Sequence, residues 1–201
     1  MSAWDEILES AAGPEHVVQL YGGNDEFLTQ NLTRFVGDGL ARGDGVVLIA
    51  TPEHAAALSQ ALDAAGTSHS EMVRRGRLTV LDAGETLARI TDGGTPTWER
   101  FEDVIGPILE SARASSESGR VRAFGEMVGL LWTAGLHAEA CELEGHWNRI
   151  LDGQPVALYC AYPLDIHDGD CPADALKAIL QSHTHMSTGP GTLFSSGRGR
   201  F

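Results

Sequence analysis

Glu126 is a carboxylate placed directly after a strand-like run, Val121–Phe124, inside the stretch VRAFGEMVGLLWTAGLHAEACELEGHWNRILDGQPVALYCAYP. Such a group can accept hydrogen bonds from a ligand or hold a cation, although magnesium without a phosphate to share it would be bound weakly. The plainer use is to cap the turn that follows. Trp132, Trp147 and Tyr162 belong to the same stretch and offer aromatic area with a polar handle, which suits a small-molecule pocket. Trp147 also continues the helical stripe Leu136, Ala140, Leu143, Trp147, Ile150, so core packing is its first reading. His16 opens a strand and reads as a satisfied strand-start histidine before a base. His183-x-His185 with Cys160 or Glu126 could in principle ligate a metal, but the spacing is loose and no HExxH or CxxC accompanies it. The reading therefore expects no metal and no cofactor, and the absence of a Gly-x-Ser-x-Gly elbow leaves hydrolase chemistry without support.

A first strand followed by glycines and a helix is where nucleotide-binding α/β proteins keep a phosphate loop, G-x-x-x-x-G-K-[ST]. The segment GGNDEFLT keeps Gly22 and Thr29 of that pattern. Phe27 stands where a glycine lets backbone wrap a phosphate, and Leu28 where a lysine would neutralise it. Asp25 and Glu26 add negative charge at the helix start, where they complement the dipole that a phosphate would use. Triphosphate hydrolysis is not expected, and a helix start capped by Asn24 is.

The elements that must position these groups follow from hydrophobic period. Strands are expected at His16–Tyr21, Val46–Ala50, Leu78–Leu81, Val121–Phe124 and Val156–Ala161, with helices between them and a last helix at Asp174–Gln181. A leading helix is expected over residues 1–12 and a turn over Leu130–Gly135. Continuous apolar strands alternating with amphipathic helices predict a three-layer α/β domain with a mainly parallel sheet. One domain, residues 15–186, suits the length of 201. Residues 1–14 form the leading segment, and 187–201 read as a flexible Gly/Ser/Arg tail with at most one late strand at Thr192–Phe194. The net charge of −14, with 14 Lys+Arg against 28 Asp+Glu, argues against nucleic-acid contact. No run is long enough for a membrane span or patterned as a signal peptide. Three cysteines, Cys141, Cys160 and Cys171, without CxxC spacing read as reduced thiols in a cytoplasmic protein.

Taken together, HVVQLY at His16–Tyr21, GLARGDGVVLIAT at Gly39–Thr51, RAFGEM at Arg122–Met127 with Leu131 and Trp132, Leu143-Glu144 with Trp147-Asn148, CAYP at Cys160–Pro163 and the late His183 resemble the MEDS family, a sensory domain named for methanogen and methylotroph regulators and DcmR. The resemblance spans His16 to His185. It implies a RecA/KaiC-like fold with an eroded phosphate loop, a small organic ligand of the hydrocarbon-derivative kind, and output through DNA-binding or histidine-kinase domains. No output domain is visible in these residues, so a stand-alone sensor speaking to a separate kinase or transcription regulator is expected. The resemblance also marks Glu144, which amphipathicity leaves off the main apolar face, whereas Glu139 and Glu142 suit a solvated one. In RecA-like sheets the first strand lies between the fourth and fifth, which would bring Tyr21, Glu126 and Tyr162 to one crevice. Non-catalytic sensing is thus the leading expectation. A protein-interaction module or a residual nucleotide binder are the alternatives, and oligomerisation stays open.

Overall fold

The computed structural model describes residues 15–22, 25–164, 173–189 and 192–195. The leading helix expected before residue 15 lies outside them. Seven strands form one sheet in the order β3 (Leu78–Asp82), β2 (Gly45–Ala50), β6 (Val121–Gly125), β7 (Val156–Tyr162), β1 (Glu15–Leu20), β8 (His185–Gly189) and β9 (Thr192–Ser195). All neighbours pair in parallel except β8 and β9. Strand β2, GVVLIA, is buried at every position, as a central parallel strand covered on both faces must be. A separate two-stranded antiparallel ribbon pairs β4 (Thr91–Asp92) with β5 (Thr95–Pro96).

The strand order corrects one expectation. Strand β1 is not inserted between β6 and β7; β7 lies in the middle, with β6 on one side and β1 on the other. If the edge strand β3 is left out and β8 counts as the fifth parallel strand, β1 does lie between the fourth and fifth. The expectation counted the edge strand β3 and missed β8, whose short polar sequence HMSTG carries no apolar run.

Helices cover both faces of the sheet. On one, α1 (Asp25–Ala41) and α2 (Pro52–Ala64) press Leu28, Leu32, Phe35, Val36, Leu58 and Leu62 onto Val46, Leu48, Phe124 and Tyr159. The short α3 (His69–Arg74), capped by Ser68, follows before β3 and was not expected. On the other face lie α4 (Ala83–Ile90), α5 (Trp98–Ala114), α6 (Met127–Thr133), α7 (His137–Leu151) and α8 (Ala173–Ser182). Their buried residues, among them Phe101, Ile105, Trp132, Leu143, Trp147 and Ile179, meet Val47, Ile49, Ala123 and Leu158. Helix α6 occupies what read as a turn around Trp132, since GLLW buries enough apolar surface to hold one helical stretch against β7.

The end of the sheet opposite the candidate site is tied by charge. Arg122 on β6 donates from Nε to Asp44 Oδ2 at 2.9 Å, and Arg120 and Ser118 reach Oδ1 at 3.1 and 2.6 Å. Arg122 also donates to the Phe35 carbonyl and lies over the Phe35 ring. Burial would push the Asp44 carboxyl up, but the bonds from Ser118, Arg122 and Arg120 outweigh it and hold it below its ordinary value.

Candidate functional site

At the C-terminal ends of β1, β2 and β6 a polar cluster forms around Glu126. Its Oε2 accepts the Thr51 backbone N–H at 2.7 Å, so the carboxylate fills the N-terminal end of α2, where Thr51 is the cap. Its Oε1 lies 2.5 Å from His54 Nδ1, in the first turn of α2. The hydrogen bond to Glu126 raises the His54 pKa from its ordinary value; burial opposes it, and the charges of Glu126, Asp25 and Glu53 add to it. Asp25, at the start of α1, stands 3.9 Å from the other ring nitrogen. The Tyr21 ring meets His54 edge-on with centroids 6.0 Å apart, and its hydroxyl is held well above its usual pKa by burial and then by Glu126 and Asp25. His54 and Tyr21 are half-buried rather than sealed. The chain turns here at Gly22, whose φ of 52° is a conformation glycine adopts without a Cβ penalty.

Tyr162 is not part of this cluster. Register pairs Leu20 with Tyr162, so the two share a face and Tyr21, one residue on, faces the other side of the sheet. The Tyr162 hydroxyl instead donates to Glu144 Oε1 at 2.6 Å, under α7 and fully buried. The crevice expected from Tyr21, Glu126 and Tyr162 therefore divides: the first two meet, and the third belongs to a second cluster across the sheet.

That second cluster joins His16, Glu144, Cys160 and His183, which are 2%, 0%, 0% and 1% exposed. His16 on β1 and Cys160 on β7 point to the same face, with Nε2 and Sγ 3.3 Å apart. Glu144 Oε2 lies 3.2 Å from His16 Nε2 and 3.7 Å from Cys160 Sγ, and its Oε1 is 3.3 Å from His183 Nε2. The four ligand-type atoms all fall within 4.8 Å of one another. Burial lowers the His16 pKa, and His183 lowers it further. Burial pushes the Glu144 carboxyl up, but His183 and His16 outweigh it and keep it well below the carboxylate range. The Cys160 thiol is raised by burial and then by Glu144.

The other expected residues distribute between these environments. Trp132 packs its ring perpendicular to Tyr162, 5.6 Å between centroids, beside the buried cluster. Trp147 is fully buried, its ring against Phe101 at 5.0 Å. Phe27 and Leu28 are core residues of α1, while Thr29 is half-buried and accepts through its backbone carbonyl from Thr33. His185 lies on β8 and is not a member of the metal-type cluster. Sequence reasoning missed His54 altogether, since a histidine in the first turn of an amphipathic helix carries no signal of its own. It also missed that His16, Glu144, Cys160 and His183 converge, although all four stand in the segments that carried the family likeness.

The family model described as MEDS, the methanogen/methylotroph, DcmR sensory domain, matches residues 15–184. Comparison with curated proteins gives no match. The matched span holds the sheet from β1 through β7, both helical layers and both polar clusters. The chain belongs to the MEDS family of sensory domains.

Proposed function

We propose that this chain is a non-catalytic cytoplasmic sensor whose strand-end cluster takes a small neutral organic molecule with one polar group, and which passes its response to a separate kinase or transcription regulator. The observation that carries the reading is the meeting of Tyr21, His54 and Glu126 where parallel strands end, the position at which open α/β sheets bind ligands. Asp25, Glu26 and Glu126 make the surroundings acidic and disfavour an anionic guest, so a hydroxyl, carbonyl or halide on a short hydrocarbon fits better than a phosphate or carboxylate. The burial of Phe27 and Leu28 in the core supports loss of the phosphate loop, because neither position can turn toward a triphosphate without emptying part of the core.

No described helix is long and apolar enough to cross a membrane. The large hydrophobics exposed among the described residues are Val73 and Leu136, which are on different helices or their edges and give little basis for an apolar docking module. Sensing requires the ligand to favour one of two conformations. The test is titration of the full chain with one- to four-carbon alcohols, ketones, halides and carboxylates, followed by tryptophan fluorescence and thermal melting. A saturable response to a neutral compound, weakened about tenfold or more by Tyr21→Phe or Glu126→Gln, is the expected result. Absence of saturation across the panel, or a response indifferent to both substitutions, overturns the reading.

A further inference from the structure

We propose that His16, Glu144, Cys160 and His183 bind one divalent transition-metal ion, zinc(II) by its ligand chemistry, which pins α7 and the end of α8 to strands β1 and β7.

Hydrogen bonds on the outer side of each histidine fix where the protons are. Asn148 donates its amide to the Ser182 carbonyl at 3.1 Å, which turns its Oδ1 toward His16 Nδ1 at 3.0 Å. His183 Nδ1 meets the Ile179 carbonyl at 2.5 Å. Each of these oxygens only accepts, so each Nδ1 must carry a hydrogen and a neutral ring turns the Nε2 lone pair inward. Both Nε2 atoms then face the Glu144 carboxylate, with the Cys160 sulfur beside them. The Cys160 thiol donates to the carboxylate, but with both rings neutral two inward Nε2 lone pairs still face a buried negative charge, an arrangement that a metal cation among them would satisfy.

The spacing suits that cation. A tetrahedral zinc with bonds of about 2.0–2.3 Å sets its ligand atoms about 3.3–3.7 Å apart. Measured to the nearer Glu144 oxygen in each case, the separations are 3.2 Å to His16, 3.3 Å to His183 and 3.7 Å to Cys160, with 3.3 Å between His16 and Cys160. All four ligand atoms lie within 4.8 Å of one another, so a contraction of the wider pairs would complete the tetrahedron. Histidine ligands oriented by a carbonyl or amide oxygen on the opposite nitrogen, and a ligating carboxylate itself held by the Tyr162 hydroxyl, form the supporting shell expected of a built metal site. Thiolate and imidazole exclude magnesium and calcium, which take oxygen ligands. On binding, the Cys160 S–H bond breaks, a Zn–S bond forms and the proton leaves to solvent, with no change of oxidation state. One thiolate, one carboxylate and two neutral imidazoles then balance the charge of the dication. Because all four ligands are sealed, loading accompanies folding and exchange is slow.

The site lies on the opposite face of the sheet from the strand-end cluster, so its test is separate from the ligand titration. The full chain is purified under reducing conditions from cells grown with added zinc, and in parallel with added cobalt. One equivalent of zinc by elemental analysis, a thiolate-to-cobalt charge-transfer band and the strong visible bands of tetrahedral cobalt are expected. Cys160→Ser should abolish the charge-transfer band. Asn148→Ala, which keeps all four ligands but frees the His16 ring, should lower zinc affinity by about 10–100-fold. Folding of both variants is followed by circular dichroism, and if Cys160→Ser does not fold, the wild-type spectrum and Asn148→Ala decide. Substoichiometric metal with no charge-transfer band in the wild type, or a band that survives Cys160→Ser, overturns the proposal.

Discussion

His54 shows how one residue can report on the strand-end site. Its raised pKa comes from the bond to Glu126, so nuclear magnetic resonance titration of the ring should give a value above the ordinary 6.5 that falls when Glu126 becomes Gln. The linkage follows in sign. A group whose folded pKa is raised stabilises fully below 6.5, and that contribution is lost as pH rises through the folded value. Urea denaturation across that window should therefore show a downward slope that Glu126→Gln flattens. Asp44 has the opposite sign: its carboxyl is depressed in the fold, so its contribution is present above 3.8 and is lost as pH falls through the folded value. Replacing its buried partner, Arg122→Met, leaves that carboxylate to Arg120 and Ser118 and should cost about 1–3 kcal/mol in the same assay at neutral pH.

Among the described elements, a close approach that constrains sequence is between α5 and β2. A Cβ added at Gly45 would lie 2.1 Å from the Ala112 carbonyl oxygen, a backbone atom that cannot swing aside. Gly45→Ala should therefore force the helix off the sheet and destabilise the chain by about 1–3 kcal/mol, measured by chemical denaturation. Most elements were legible beforehand because their signals are local: VVLIA alternates no polar residue and must be buried twice over, and Thr51-Pro52 opens a helix as cap and first-turn proline do. Strand β8 and helix α3 were not legible, one being polar and the other a single short stretch that buries no residue fully. Their existence rests on neighbours, β8 on its pairing with β1 and α3 on its contact with β3.

For the molecule as a whole, a net charge of −14 and an isoelectric point near 4.8 govern its behaviour toward other solutes. It should leave duplex DNA unshifted in a gel even at low salt, and its solubility should be least near pH 4.8. The sequence by itself determined the layered α/β architecture, the replacement of the phosphate-loop glycine and lysine by Phe27 and Leu28, and the family, because hydrophobic period and motif order are properties of the chain read along its length. Only the tertiary structure decided which polar residues meet. Side chains alternate between faces along a strand, so the register of β1 against β7 sends Tyr21 toward His54 and Glu126 and sends His16, Cys160 and Tyr162 to the opposite side, under Glu144. The gathering of residues 16, 144, 160 and 183 depends on that register and on where α7 and α8 pack, neither of which leaves a mark in local sequence.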